Sequence, residues 1–325
     1  MSHYLIVPTN ENGVVFDPTM TSSVATALGA PFGFEDIYVY SHGWSTDGDQ
    51  AMGTYNRFSV DLARRNLLLA TNPPTKTWAR NSLGIGIHWP SEVTEDPNSP
   101  LNAVQLFSFY TMEHRAEAVG KNAIYAMVRL ILTSGDGATP LRIFLIGHSF
   151  GCKAVCAALN DVQLDIADGT ISVPEGTLFR AVLLQGATDN DNLEKGDIYG
   201  NMVALENLRV LLTKSSQDEA LGTWYPAAGK LANLFHAPPS ALGSAGPTQQ
   251  TITDFGGADS FVVSAANTAS DMTQYEKPMV IADLSTVHAA RKASGTYTSG
   301  GLSGSHSDIF FDPLYDIVAG FLFTP

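Results

Sequence analysis

Ile143-Phe144-Leu145-Ile146-Gly147-His148-Ser149-Phe150-Gly151 holds the junction from which the rest of the chain can be read. Four large apolar residues in an unbroken run read as a strand buried on both faces, and residues 151–159 read as the start of a helix. Between them, Gly147-His148-Ser149-Phe150-Gly151 matches the pattern Gly-x-Ser-x-Gly. A strand that turns sharply into a helix leaves the turn residue in a strained conformation, and a glycine on either side removes the Cβ atoms that would clash there. Ser149 Oγ is then presented above the sheet, and a helix starting at Phe150 brings its N-terminal partial charge close to any negative charge developing there.

Outward from this junction the same alternation recurs. Tyr4-Leu5-Ile6-Val7, Ile37-Tyr38-Val39-Tyr40, Ile85-Gly86-Ile87-His88, Ala181-Val182-Leu183-Leu184, Val210-Leu211-Leu212 and Met279-Val280-Ile281 are short apolar runs bounded by turn residues. Helix-like stretches separate them, over 55–69, 103–132 and 151–159, with a last one at 313–322. Strand alternating with helix predicts an α/β fold: a doubly wound, mostly parallel sheet of about eight strands with helices on both faces, in one domain over 1–325. Two segments fit the alternation poorly. Residues 90–115 begin with a Pro, Glu and Asp cluster and run into the aromatic stretch Leu106-Phe107-Ser108-Phe109-Tyr110; residues 221–274 are rich in Gly, Ala, Ser and Pro. Connections this long are expected to be lid or cap insertions, with a passive surface insertion as the competing reading.

Composition bounds the function. The chain has 325 residues, 18 basic and 32 acidic, hence a formal charge of -14; 44% are hydrophobic and 10% aromatic. That supply of apolar residues excludes a disordered or fibrous chain. The acidic balance excludes a binder of nucleic acid or of anionic lipid, both of which need positive surface. Cys152 and Cys156 lie four apart on one helix face, too poorly placed for a disulfide and without metal-ligand spacing around them, so they read as small buried hydrophobes. No signal peptide is expected, since Pro8 cuts the first apolar stretch short. The apolar run 309–323 is interrupted by Asp312, Pro313 and Asp316, so no transmembrane segment is expected either, and the expected location is cytoplasmic.

A serine hydroxyl needs a base, and the base a carboxylate to orient it. Here the chain resembles the α/β-hydrolases, from its strand pattern through the GHSFG elbow, a family whose chain order is serine, then acid, then histidine. The resemblance covers nearly the whole chain and is weakest over 221–274. It implies an acid in the loop Thr213-Lys214-Ser215-Ser216-Gln217-Asp218-Glu219, where Asp218 is the best candidate. It implies a histidine after the last strand, where His306 in Gly304-Ser305-His306-Ser307-Asp308 is the best candidate. Some family members carry the acid one strand earlier, which keeps Asp189 and Asp191 as alternative acids. His288 is the rival for the base.

By the same resemblance the oxyanion hole takes one backbone N–H from Phe150 and one from Trp44, in the family's His-Gly segment, here Tyr40-Ser41-His42-Gly43-Trp44. The Trp44 side chain is then either a wall of an acyl pocket or a core residue. His148, beside the serine in sequence, is expected to point away from it. His42 and His88 lie at strand ends without metal spacing, and Asp47-Gly48-Asp49 reads as a solvated acidic turn rather than a calcium loop. No phosphate-binding or dinucleotide motif is present, so no cofactor and no metal are expected. The resemblance implies a serine hydrolase cleaving carboxylic esters, with a small-molecule ester bearing an apolar acyl group as substrate. Lipase, thioesterase, peptidase or acyltransferase chemistry on the same triad stays open, as does a non-catalytic binding protein that keeps the fold.

Overall fold

The computed structural model describes residues 3–29, 33–34, 36–44, 46–69, 82–92, 103–134, 139–227, 240–264, 275, 277–297 and 304–323. Eight strands among them form one sheet: β1 (His3–Pro8), β2 (Asp36–Ser41), β3 (Ser82–His88), β4 (Arg142–His148), β5 (Leu178–Leu184), β6 (Leu208–Lys214), β7 (Ala258–Val262) and β8 (Met279–Asp283). Their order across the sheet is β1-β3-β2-β4-β5-β6-β8-β7, and every neighbouring pair is parallel.

The unbroken apolar runs are explained by burial on both faces. Ile37 and Val39 of β2, Ile143 and Leu145 of β4, and Ala181 and Leu183 of β5 join one core cluster. Their neighbours Tyr38, Tyr40, Phe144, Ile146, Val182 and Leu184 point the other way and join a second. Helices α1 (Pro18–Leu28), α3 (Ala103–Val119), α4 (Tyr125–Ser134) and α5 (Phe150–Ala167) contribute to the first cluster, through residues such as Val24, Met112, Ile131 and Val155. Helix α2 (Gly48–Leu69) and the last helix, Asp312–Phe323, cover the second with Tyr55, Phe58, Leu62, Leu314 and Val318. The fold is therefore α/β and doubly wound, with two cores on opposite faces of one parallel sheet.

Three local differences from the sequence reading have physical causes. Helix α2 begins at Gly48 rather than at 55, because Asp47 and Gln50 form a reciprocal cap: Gln50 N donates to Asp47 Oδ1 at 2.7 Å and Asp47 N to Gln50 Oε1 at 3.3 Å. The acidic run there is thus the start of a helix. The stretch expected as one helix over 103–132 contains a π turn, Gly120–Ile124, packed so close to α5 that a Cβ on Gly120 would lie 2.3 Å from Ala154 O. Strand β7 lies inside the 221–274 segment; it is a half-exposed edge strand, Ala-Asp-Ser-Phe-Val, without the apolar run that marks its neighbours. The remainder of that segment includes 228–239 and 265–274, outside the described residues, as are 93–102 of the 90–115 segment and the side chain of Phe107.

The connections place the site. From β2 the chain passes through α2 to β3 on one side, and from β4 through α5 to β5 on the other, with the two helices on opposite faces. The carboxyl ends of the adjacent strands β2 and β4 therefore diverge into a crevice, the position where open α/β sheets bind ligands. No helix among the described residues is long and apolar enough to cross a membrane.

Candidate active site

Ser149 sits between β4 and α5 with φ 56° and ψ -124°, one of three described non-glycine residues with positive φ. The strain is held by backbone hydrogen bonds: Ser149 N donates to Leu184 O at 3.0 Å and Ala187 N donates to Ser149 O at 3.1 Å. The two pattern glycines are required by close approach. A Cβ on Gly151 would lie 2.2 Å from Ser41 O, and one on Gly147 would lie 2.5 Å from Gly151 O, so the helix meets the strands with no room for a methyl group.

Two loops from the carboxyl edge converge on this serine. His306, in the short 3₁₀ turn Ser305–Ser307 that precedes the last helix, places Nε2 2.8 Å from Ser149 Oγ. Its Nδ1 lies 2.8 Å from Oδ2 of Asp218, in the loop after β6. Nδ1–H donating to the carboxylate fixes the tautomer and leaves Nε2 to accept from the serine hydroxyl. Leu221 N donates to the other carboxylate oxygen, Asp218 Oδ1, at 3.0 Å. Ser149, His306 and Asp218 are 4%, 4% and 1% exposed. Burial, the largest influence on Asp218, pushes its carboxyl up; the charge and hydrogen bond of His306 and the Leu221 N–H together hold it below the ordinary carboxylate value.

The segment His42-Gly43-Trp44 leaves the end of β2 and lies directly against the serine: a Cβ on Gly43 would sit 2.6 Å from Ser149 Cβ. His42 N donates to Tyr55 Oη at 2.8 Å, and Tyr55 Oη donates to Ile87 O at 2.7 Å. Within the segment, His42 Nδ1–H donates to Gly43 O at 2.8 Å, while Nε2 accepts from Trp89 N at 3.2 Å and the ring stacks on Trp89 at 5.1 Å. Burial pushes the His42 imidazole down to about 3, so it is neutral and its hydrogen-bonding roles are fixed. Tyr55 and Trp89, which pin this segment, carry no sequence signal for that role beyond their aromatic character. Phe150 is the first residue of α5, so its N–H has no carbonyl partner within the helix and points outward beside Ser149.

A cavity of about 340 Å³ opens from Ser149 and His306 between the end of β2, α2 and residues 307–310. Trp44, Phe58, Ile146, Leu184, Ile309 and Phe310 give it apolar walls, Thr46, Gln50 and Thr54 add neutral polar groups, and among the described residues no Asp, Glu, Lys or Arg lines it. Trp44 serves both alternatives for its side chain. It borders the cavity and also packs edge-on against Phe109 at 6.2 Å, which in turn contacts Phe150 at 4.9 Å.

The remaining candidates lie elsewhere or pack around the Ser149, His306 and Asp218 side chains. His148 Nε2–H donates to His306 O at 2.8 Å, fixing the backbone of the proposed base, and burial pushes its imidazole down to about 4. Asp189 accepts from Tyr225 Oη at 2.7 Å, and Asp191 is exposed. His288 is buried in the helix Ser285–Ala293, with Nδ1 3.0 Å from Ser215 Oγ and Nε2 3.1 Å from Asp308 O, so it links the loop of Asp218 to the loop of His306. Sequence reasoning missed Gln185, whose Nε2 donates to Asp218 Oδ2 at 3.0 Å. Only its place at the end of β5 could have pointed to it. Cys152 and Cys156 are buried free thiols on α5. Among the described residues no group of three or more His, Cys, Asp or Glu side chains is placed to hold a metal ion. No family model, no curated protein and no solved structure matches the chain.

Proposed function

We propose that the protein is a serine hydrolase of carboxylic esters, built on a fold that resembles the α/β-hydrolases. The observation that carries this reading is the continuous contact from Ser149 Oγ to His306 Nε2 and from His306 Nδ1 to Asp218 Oδ2, each at 2.8 Å, at the mouth of a cavity. In the proposed reaction His306 takes the hydroxyl proton as Ser149 attacks the ester carbonyl carbon, and Asp218 stabilises the imidazolium that forms. The tetrahedral oxyanion is bound by backbone N–H groups of Phe150 and Trp44, the first reinforced by the helix dipole. Collapse of the intermediate breaks the ester bond; the alcohol leaves with the proton from His306, and the acyl group stays on Ser149. Water, deprotonated by His306, then attacks the acyl carbon, and His306 returns that proton to Ser149 Oγ as the carboxylic acid is released.

The chemistry of the cavity supports the substrate class. Its apolar walls favour a hydrocarbon acyl group by the area it removes from water, and a charged acyl group would be desolvated there without an opposite charge to meet it. The test is turnover of p-nitrophenyl esters of short and medium chain length, beside a thioester and an aminopeptidase substrate, by the protein and by Ser149→Ala. Ester turnover that disappears in the variant is expected. Equal rates for the two proteins contradict the reading.

A further inference from the structure

Gln185 follows directly on β5, next to the strand that bears the elbow, and is completely buried. Its backbone is left-handed, with φ 47°, a conformation that a residue with a long side chain adopts only under constraint. The constraint is visible on two sides: Gln185 N donates to Thr213 Oγ1 at 2.9 Å, and Gly243 packs so close that a Cβ there would lie 2.3 Å from the Gln185 carbonyl carbon. The conformation aims the side chain beneath the His306–Asp218 pair. The amide nitrogen donates one hydrogen to Asp218 Oδ2 at 3.0 Å and the other to Ser305 O at 2.9 Å. Asp218 Oδ2 is the oxygen that accepts from His306 Nδ1, and Ser305 is the residue before His306. The amide oxygen is buried without a hydrogen-bond partner among the described residues. The opposite rotamer would turn that oxygen toward two other acceptors, so the network fixes the orientation.

One side chain thus joins the acid to the backbone of the base, at the cost of a strained φ. We propose that Gln185 is a positioning residue: it holds Asp218 Oδ2 and the His306 turn in register, so that the carboxylate meets Nδ1 at hydrogen-bond distance throughout the proton transfers. The proposal rests on the ester-hydrolase reading. Its action runs through Asp218, and this separates it from a residue that only stabilises the fold.

Two near-isosteric variants test it in the full chain. Gln185→Leu removes both donors, and Gln185→Glu puts a second carboxyl against Asp218. A hydrogen bond to a charged group corresponds to a factor of about ten or more, so kcat should fall at least about tenfold in Gln185→Leu while KM changes little. Asp218 without this donor is more basic and holds the imidazolium more tightly. The acid limb of the kcat/KM profile should therefore move to higher pH in Gln185→Leu, and further in Gln185→Glu, where two buried carboxyls compete. In an Asp218→Asn background the effect of Gln185→Leu should collapse toward unity, because the group it acts through is gone. The proposal is overturned if either folded variant keeps the kcat and acid limb of the parent, or if Gln185→Leu costs the same factor in both backgrounds. Should Gln185→Leu not fold, Gln185→Glu decides alone on its acid limb. Loss of the hydrolase reading is a separate result, seen as ester turnover that survives Ser149→Ala.

Discussion

At the amino ends of β2 and β4 the Asp36 carboxylate takes two hydrogen bonds from Arg142, each at 2.6 Å; at the carboxyl ends of β4 and β6 the Asp218 carboxylate is met by an imidazole and an amide. Both aspartates are 1% exposed and both receive directed donors. The difference lies in what surrounds them. At the amino edge the partner is a guanidinium, and Arg180 close by, with its own guanidinium pushed down to about 10 by burial and by Arg209 and Arg142, donates to the carbonyls of Phe179 and Asn207. Even so lowered, the Arg180 guanidinium keeps its proton near neutral pH. At the carboxyl edge the partner is a histidine, whose other nitrogen faces a serine hydroxyl and a cavity. Strain follows the same division. Ser149 and Gln185 have left-handed backbones at the carboxyl ends of adjacent strands, whereas the third such residue, Asn207, belongs to a type that tolerates the conformation and lies in the turn entering β6. Buried charge alone does not mark a site in this molecule; among the described residues, buried charge, titratable partner, strained backbone and open volume coincide at one edge of the sheet.

Of the two buried aspartates, Asp218 should matter far more to turnover. Asp218→Asn keeps the shape and removes the charge that orients His306, so ester kcat should fall by about 10⁴. Asp191→Asn, measured beside it, should leave kcat unchanged; the reverse pattern would move the acid to the alternative loop. At the amino edge Asp36→Asn leaves the largely buried Arg142 facing an uncharged group and should lower unfolding free energy by about 3 kcal/mol in urea titrations, with turnover of the folded fraction unaltered. A loss of activity without loss of stability would mean that the two edges are coupled. The smallest effect is on pH. His42 and His148 stay neutral in the fold with values of about 3 and about 4, against about 6.5 in the unfolded chain, so as pH falls below 6.5 the unfolded state takes up protons that the folded state refuses. Their contribution is fully present above 6.5 and is lost on acidification, by up to about 1.4 kcal/mol per pH unit for each histidine down to about pH 4. Urea midpoints at pH 7, 6 and 5 should fall in that order, and equal midpoints would contradict the neutral state of the buried His42 ring and the half-buried His148 ring.

Much of this architecture is legible in the residues alone. Strands buried on both faces have to be apolar throughout, which makes β2, β4, β5 and β6 conspicuous, and the elbow needs two glycines at fixed offsets because helix and strands touch there. Edge strand β7 escapes because a strand half in solvent has no need of an apolar run. The order serine, acid, histidine points to residues that the fold does bring together. Gln185 is not legible: its partners lie 33 and 120 residues away, and no local pattern encodes a contact made only when three loops meet. The same holds for the His42–Trp89 stack, 47 residues apart in sequence, which fixes the segment facing Ser149.

If Ser149 is an activated nucleophile, a fluorophosphonate reports it without knowledge of the natural substrate. A single covalent adduct is expected on the peptide bearing Ser149 at neutral pH, absent in Ser149→Ala and strongly slowed in His306→Ala. A folded protein whose Ser149 stays unmodified under conditions that label a serine hydrolase control would contradict it.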